Sequence, residues 1–320
     1  MLSRAQRGGR GHELRSQHSA PRTRAGCQGV IAASGRLPDR DAVVRAIETN
    51  MCAYWLSLGR SDGGAVYEGP DLQWAYTGRP VLNRVLGAQF AVHEAEARIG
   101  EIVRRFGAWR AGVAWLTGPS TRPDDLGARL RAQAFTHEGQ WSGMAVDLAS
   151  AAGAAAGGGD VAPGLTIREV RDGVLHQAWL EIIGAAFDLP RPARDVFHGL
   201  GRPPGPAAPV PWRRYVGLVN GRPVSTATLF AAGGAAGVYL VATLPGARRR
   251  GLGTALTRYV LAAARAAGHR LAVLQATATG QGVYRKLGFE EYCRIGIYRW
   301  SPRRRPAGWR APPHWLARFL

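Results

Sequence analysis

The segment Arg248-Arg249-Arg250-Gly251-Leu252-Gly253-Thr254 has residue types and spacing suited to holding an anion. It follows Pro245-Gly246-Ala247 and precedes an apolar series, Leu252, Ala255, Leu256, Tyr259, Val260 and Ala263, at helical spacing. The first turn of a helix leaves about four backbone N–H groups unpaired, and the helix dipole adds partial positive charge there. Gly251 and Gly253 lack the Cβ atoms that would keep a phosphate away from those groups. Three adjacent arginines add long-range attraction for a polyanion. These features compose a pyrophosphate cradle, and they equally describe a glycine-eased strand-to-helix turn with a solvated basic rim. The segment is not the dinucleotide-binding Gly-x-Gly-x-x-Gly of a parallel βαβ unit, and no Gly-Lys-Ser/Thr follows it as in a nucleotide-binding P-loop.

The elements that must position this segment read as a mixed α/β unit. Leu165–Val170 alternates as a strand, and Leu175, Ala178, Trp179, Ile182, Ile183 and Ala186 recur at helical spacing. Val216–Val219, Asn220-Gly221 and Val224–Phe230 read as a hairpin, because Asn-Gly supplies the positive φ of a tight primed turn. Gly237–Thr243 is the strand leading into the loop. After the amphipathic helix, Gly268 marks its end and Leu271–Gln275 reads as a short buried strand. A shorter helix is expected at Gln281–Leu287, and two closing strands between Phe289 and Trp300.

The loop resembles the acyl-CoA-binding signature of the GNAT acetyltransferase superfamily, whose core is Gln/Arg-x-x-Gly-x-Gly/Ala. About thirty residues on, Val283-Tyr284-Arg285-Lys286-Leu287-Gly288-Phe289 is similar to that family's second hallmark, a tyrosine-bearing short helix ending in Leu-Gly-Phe. The resemblance covers roughly residues 164–300. It implies a mixed, mostly antiparallel sheet with helices on both faces. It also implies an N-acetyltransferase that moves an acetyl group from acetyl-CoA directly to an amine, without a metal. The strand ending in Val241-Ala242-Thr243 is then expected to run beside the pantetheine, and the amides from Arg249 to Thr254 to hold the pyrophosphate, in the loop opened by Arg248. Tyr284 is implied as the general acid that protonates the departing thiolate; the other reading is a half-buried packing tyrosine. Thr277 stands where many relatives carry Asn. No general base stands out among Glu181, Asp188, His198, Glu290 and Glu291, and His269 reads as a helix-end cation. The acceptor is expected to be a small-molecule or peptide amine. A non-catalytic acyl-CoA sensor or partner-binding module is the alternative.

Residues 41–148 repeat the later part of this plan. Ala95, Ile99, Ile102, Val103 and Phe106 mark a helix, Gly112–Leu116 a strand, Asp124–Ala134 a short helix, and Phe135–Leu148 two strands. Where the glycine loop would fall, Gln89-Phe90-Ala91-Val92-His93-Glu94 has no glycine and is acidic at its end. The expectation is a degenerate, duplicated half in which Trp55, Trp74, Tyr76, Trp109, Trp115 and Trp141 pack the core or wall a pocket.

Composition bounds the rest. The 320 residues are 46% hydrophobic and carry a formal charge of +20. Residues 1–40 hold eight Arg against Glu13 and Asp39, and residues 301–320 hold five Arg and no acid, so the tails supply 11 of those charges. We read 1–40 as a disordered basic tail, 149–163 as an Ala/Gly linker, and 301–320 as a second basic tail, with Trp309, Trp315, Leu316, Phe319 and Leu320 able to dock. No aromatic-basic interleaving points to nucleic acid. No apolar run reaches the length of a membrane span. Cys27, Cys52 and Cys293 are too far apart for a disulfide framework or metal cluster, so a reducing cytoplasm is the expected compartment. Sequence says nothing of oligomeric state.

Overall fold

The computed structural model describes residues 39–150, 163–199 and 212–302. The basic tails and the Ala/Gly linker therefore lie almost wholly outside the described residues, as does Cys27.

Eleven strands form one sheet: β1 (Ala65–Glu68), β2 (Gln73–Tyr76), β3 (Arg84–Leu86), β4 (Val113–Thr117), β5 (Thr136–Asp147), β6 (Leu165–Glu169), β7 (Trp212–Val219), β8 (Arg222–Ala232), β9 (Ala235–Thr243), β10 (Leu271–Ala276) and β11 (Glu290–Trp300). Their order across the sheet is β1-β2-β3-β4-β11-β5-β10-β9-β8-β7-β6. Among the described strands, only β3–β4 and β9–β10 pair in parallel. Apart from β6, which has no counterpart, the order is symmetric about the β11–β5 pair, with β4 answering β10 and β3 answering β9. The final strand of each half is exchanged. β11, from the second half, lies between β4 and β5, and β5, from the first half, pairs with β10 from Leu271↔Asp147 to Ala276↔Ser142.

Among the described residues, seven helices cover both faces. On one face lie α1 (Arg40–Gly59), α4 (Gly173–Ala186) and α5 (Arg191–Gly199); on the other lie α2 (Ala95–Ala108), α3 (Leu126–Ala132), α6 (Leu252–Ala266) and α7 (Gln281–Arg285). Asp39 and Asp172 cap α1 and α4 by accepting from the Ala42 and Leu175 amides, each at 2.7 Å. Helix α1 belongs to the first half yet lies across the second. Asn50, fully buried, donates to the carbonyls of Phe230, Ala232 and Ala235 and accepts from the Tyr239 hydroxyl at 2.8 Å. Gly237 permits this approach, since a Cβ there would stand 2.1 Å from Asn50 Oδ1.

The expected hairpin forms with Asn220 and Gly221 at φ 50° and 76°. The sequence reading marks no helix at α1, splits two strands that are single, and leaves the tryptophans as core or pocket wall. Helix α1 has no clean apolar stripe because it is buried on several sides, through Val43, Ile47, Tyr54, Trp55 and Leu58. Residues 135–148 and 289–300 each form one long strand rather than two. Register shifts at Glu138 beside Gly139 (φ 115°), and at Tyr292 in β11, are absorbed within the single strands. The tryptophans are core: Trp55, Trp115 and Trp141 are fully buried and Trp74 nearly so, while Tyr76 stacks on Trp109 at 4.3 Å.

Candidate functional site

Strands β9 and β10 meet at Ala236↔Ala272 and Gly237↔Val273 and pair no further. From Val238 onward β9 keeps its ladder with β8 but leaves β10, so a cleft opens between the two strands. A bulge helps the departure: Leu240, at φ 51°, is the extra residue between the Thr228↔Tyr239 and Thr226↔Ala242 pairs, and its carbonyl accepts from Thr226 Oγ1 at 2.9 Å. Val241, Ala242 and Thr243 form the β9 side of the cleft above the bulge, and Ala276 and Thr277 end its β10 side.

The glycine loop sits at the mouth of this cleft. A 3-10 turn at Pro245–Ala247 is followed by Arg249 at φ 60° and Gly251 at φ 73°, and α6 starts at Leu252. Among the described residues no hydrogen bond engages the amides of Arg249, Arg250, Gly251, Leu252, Gly253 or Thr254; the first amide bonded within the helix is that of Ala255, to Gly251 O at 3.0 Å. Nothing approaches within 4 Å of the position a Cβ would take on Gly251, and at Gly253 only Val241 and Thr243 stand at ordinary contact distance. The turn is thus open, with six consecutive donors available. Leu252 contributes its amide alone, since its side chain is buried with Ala247 and Val219 and anchors the turn.

The three arginines are not equivalent. Arg248 donates from Nε to Thr243 O at 3.2 Å and from Nη2 to Ala186 O at 3.0 Å. Its guanidinium therefore ties the loop to the carbonyl end of α4, where a cation is favoured by the helix dipole. Arg249 and Arg250 are exposed and make no ion pair among the described residues.

Tyr284 lies on α7, 8% exposed, with its ring packed edge-on against Phe289 at 5.8 Å. Burial pushes its phenol up to about 12, so the group is protonated at any physiological pH. Its hydroxyl has no hydrogen-bond partner among the described residues and is not among the sealed polar atoms, so its oxygen keeps some accessible surface. Thr277 begins the turn before α7: its Oγ1 accepts from the Gly280 amide at 3.2 Å and its carbonyl from the amides of Gly280 and Gln281. Sequence spacing gave no signal for a second anchor of α7, which comes from three separate segments. Gln281 Nε2 donates to Ser142 Oγ on β5, and Ser142 donates to Glu291 on β11 at 3.1 Å. Arg294 Nε holds the other Glu291 oxygen at 3.0 Å.

The remaining acid and base candidates are dispersed. Glu181 is exposed and bonded to Gln177. Asp188, at φ 53°, occupies the exposed α4–α5 turn, close in sequence to the Ala186 carbonyl that Arg248 grips. His198 lies 6.1 Å from His176 at the opposite end of α4. His269 precedes Leu271, at the end of β10 remote from the cleft, and burial lowers its pKa. Among the described residues no group of three or more His, Cys, Asp or Glu could hold a metal, and no helix is long and apolar enough to cross a membrane.

The first half shows the same turn geometry with different side chains. The Phe289 amide bonds Tyr284 O at 3.0 Å with Gly288 at φ 87°; correspondingly the Phe135 amide bonds Leu130 O at 3.0 Å with Ala134 at φ 64°. Fully buried Leu130 thus stands where the second half has its phenol. At the position of the glycine loop, the Glu94 carboxylate accepts from the Ala91 amide, placing negative charge at the helix start. The gap beside β3 is closed, because the Arg122 amide bonds Ala88 O at 2.8 Å and Gln89 bridges Arg122.

Residues 212–291 match the family model of the acetyltransferase (GNAT) domain. A GCN5-related N-acetyltransferase from Kribbella flavida has the same fold with a TM-score of 0.62 at 23% identity, over 86% of this chain and 99% of that one. A GCN5-related N-acetyltransferase from Sphaerobacter thermophilus gives 0.55 at 17% identity, over 85% and 98%. At these identities the likeness is one of fold. No curated protein matches the sequence.

Proposed function

We propose that this chain, which carries a GNAT domain on a GNAT fold, is an acetyl-CoA-dependent N-acetyltransferase acting by direct transfer to an amine. The GNAT domain supports acyl transfer as the general activity. The observation that carries the finer reading is the row of six unengaged amides from Arg249 to Thr254 at the mouth of the β9–β10 cleft. Such a row fits a diphosphate, and the unpaired edge of β9 fits an extended amide-bearing arm added like a strand. Exposed Arg249 and Arg250 offer charge for the anionic end, whereas Arg248 holds the loop's shape.

Bound acetyl-CoA supplies an activated acyl carbon and a thiolate leaving group. Tyr284 keeps its proton on the phenolic oxygen and delivers it to sulfur as the C–S bond breaks, while the amine nitrogen forms the new bond and loses its proton to solvent or an adjacent base. Burial suits the phenol to this role, because a group ionised at working pH has no proton to give. We read residues 41–148 as a duplicated half that has lost its loop, its cleft and its phenol, and that now supplies β5 and α1 to the active half. The cytoplasm is the compartment we assign.

Calorimetric titration with CoA and acetyl-CoA, followed by thiol release in the presence of primary amines, tests the reading. Micromolar to millimolar CoA affinity and amine-dependent release are expected; absence of CoA binding by the folded protein ends it.

A further inference from the structure

An open groove of about 700 Å³ lies between the loop that follows β4, the start of α3, and the strands β5 and β11. It shares no lining residue with the β9–β10 cleft or the glycine loop, and it draws on both halves, because β11 supplies part of its floor. Tyr298 belongs to that floor. The residue is 9% exposed, its ring lies 4.8 Å from that of His137, and its hydroxyl makes no hydrogen bond among the described residues. The oxygen is not among the sealed polar atoms, so it keeps accessible surface, and Gly127 beside it lines the same groove.

Two glycines make room for this phenol. A Cβ on Gly127 would collide with the Tyr298 oxygen, and one on Gly296 would stand 2.6 Å from Thr117 Oγ1 and 3.1 Å from Tyr298 Cε2. Neither glycine has a positive φ, so the backbone makes no demand for glycine at either place. The space they free holds two hydroxyls at the groove.

The charged groups at the rim are mostly spent on one another. Arg122 pairs with Asp124 at 3.1 Å and donates to the carbonyls of Pro119 and Thr121. Asp125 pairs with Arg129 at 2.9 Å, and Arg294 with Glu291 at 3.0 Å. Arg131, His137, Gln140 and Thr117 also line the groove, and their side chains make no hydrogen bond or ion pair among the described residues. The carboxylates that would repel an anion are therefore neutralised, whereas the guanidinium of Arg131 is not. A half-open phenol, a carboxamide and a threonine hydroxyl stand with it, each with hydrogen-bonding capacity to satisfy.

We propose that this groove binds a small organic anion, with its carboxylate or phosphate held by Arg131 and a hydroxyl-bearing body lying over Tyr298, Gln140 and Thr117. The uncommitted cation sets the sign of the ligand's charge, and the neutral side chains select hydroxyls over an alkyl body. The volume falls within the range of small-molecule pockets. The first half, which lacks the glycine loop, thus has a ligand site of its own, and that site does not depend on the transferase reading.

Three probes built on the same three-carbon frame separate the cases: glycerol, glycerate and glycerol 3-phosphate. Calorimetric titration of the full chain at about 0.15 M salt is expected to give at least one of the two anions a Kd below about 1 mM, roughly tenfold or more tighter than glycerol. Tyr298→Phe removes an oxygen that no neighbour uses, and Arg131→Gln removes an exposed charge, so both proteins should fold. Each is expected to weaken the anion by about fivefold or more, while Gly251→Ala leaves it within about twofold. Neither anion binding better than glycerol overturns the proposal, as does an affinity unchanged by either Tyr298→Phe or Arg131→Gln. Loss of binding in Gly251→Ala overturns it as well, because the anion then sits on the glycine loop. The titration needs neither CoA nor an amine, so its failure and that of the transferase reading are separate results.

Discussion

Tyr284→Phe isolates one oxygen atom. The ring keeps its edge contact with Phe289, and the hydroxyl it loses has no hydrogen-bond partner among the described residues, so no neighbour is orphaned. Stability at neutral pH should change by less than about 0.5 kcal/mol, and CoA affinity should hold. If the phenol is the general acid, kcat falls by about 10² to 10⁴, or roughly 2.7–5.4 kcal/mol of barrier. The pH profile discriminates further. With the phenol pushed up to about 12 by burial, only about 1% is ionised at pH 10, where an ordinary tyrosine is about half ionised. The wild-type kcat, followed by loss of thioester absorbance under saturating acetyl-CoA, should therefore show no acid-loss limb below about pH 11. The same shift has a stability consequence of definite sign. A pKa raised in the folded state contributes stability that is complete below the unfolded value near 10 and is lost as pH climbs towards about 12. For a two-unit shift this is on the order of 2.7 kcal/mol, and Tyr284→Phe should lack that part of the alkaline loss. A variant kcat within about threefold of wild type, or a wild-type limb near pH 10, refutes the assignment.

Gly251→Ala puts a Cβ into open space at φ 73°, so the fold bears only the left-handed backbone penalty of about 1–2 kcal/mol. CoA affinity by calorimetry should drop beyond about tenfold because the new methyl group stands where the diphosphate must approach. Gly246→Ala, equally open and without positive φ, should leave the melting temperature close to wild type. Asn50→Ala strands three carbonyls and the Tyr239 hydroxyl in the interior. Its urea midpoint should fall by the equivalent of roughly 2–4 kcal/mol at an unchanged slope, and a loss under about 1 kcal/mol would mean that α1 is not held to the second half by this side chain.

The second half was legible in the sequence because its signals are local. The Asn220-Gly221 turn, the Gly251 start of α6 and the Tyr284 helix each depend on residues a few positions apart. What stayed hidden depends on distant partners. Helix α1 carries apolar residues around much of its circumference because two halves bury it, so the usual one-sided periodicity is absent. Arg248 reads as one more phosphate-facing cation, and only the position of Ala186 O, 62 residues away, shows that it braces the loop instead. The Gln281–Ser142–Glu291 chain joins three segments with no common spacing. Residues 135–148 and 289–300 read as strand pairs, because a bulge and a turn draw on the same residue types until a neighbouring strand decides between them.

The exchange of β5 and β11 sets the order in which this chain can be completed. Until the ribosome has released residue 300, the place between β4 and β5 has no occupant, and neither the early strands nor the late ones have a closed ladder. Synthesis of the first 148 residues therefore cannot yield a finished unit, and cutting the gene within the intervening Ala/Gly segment should give two products that need each other to fold. Each half is in this way held by its neighbour, as scaffolding that cannot be taken down on one side without losing the other.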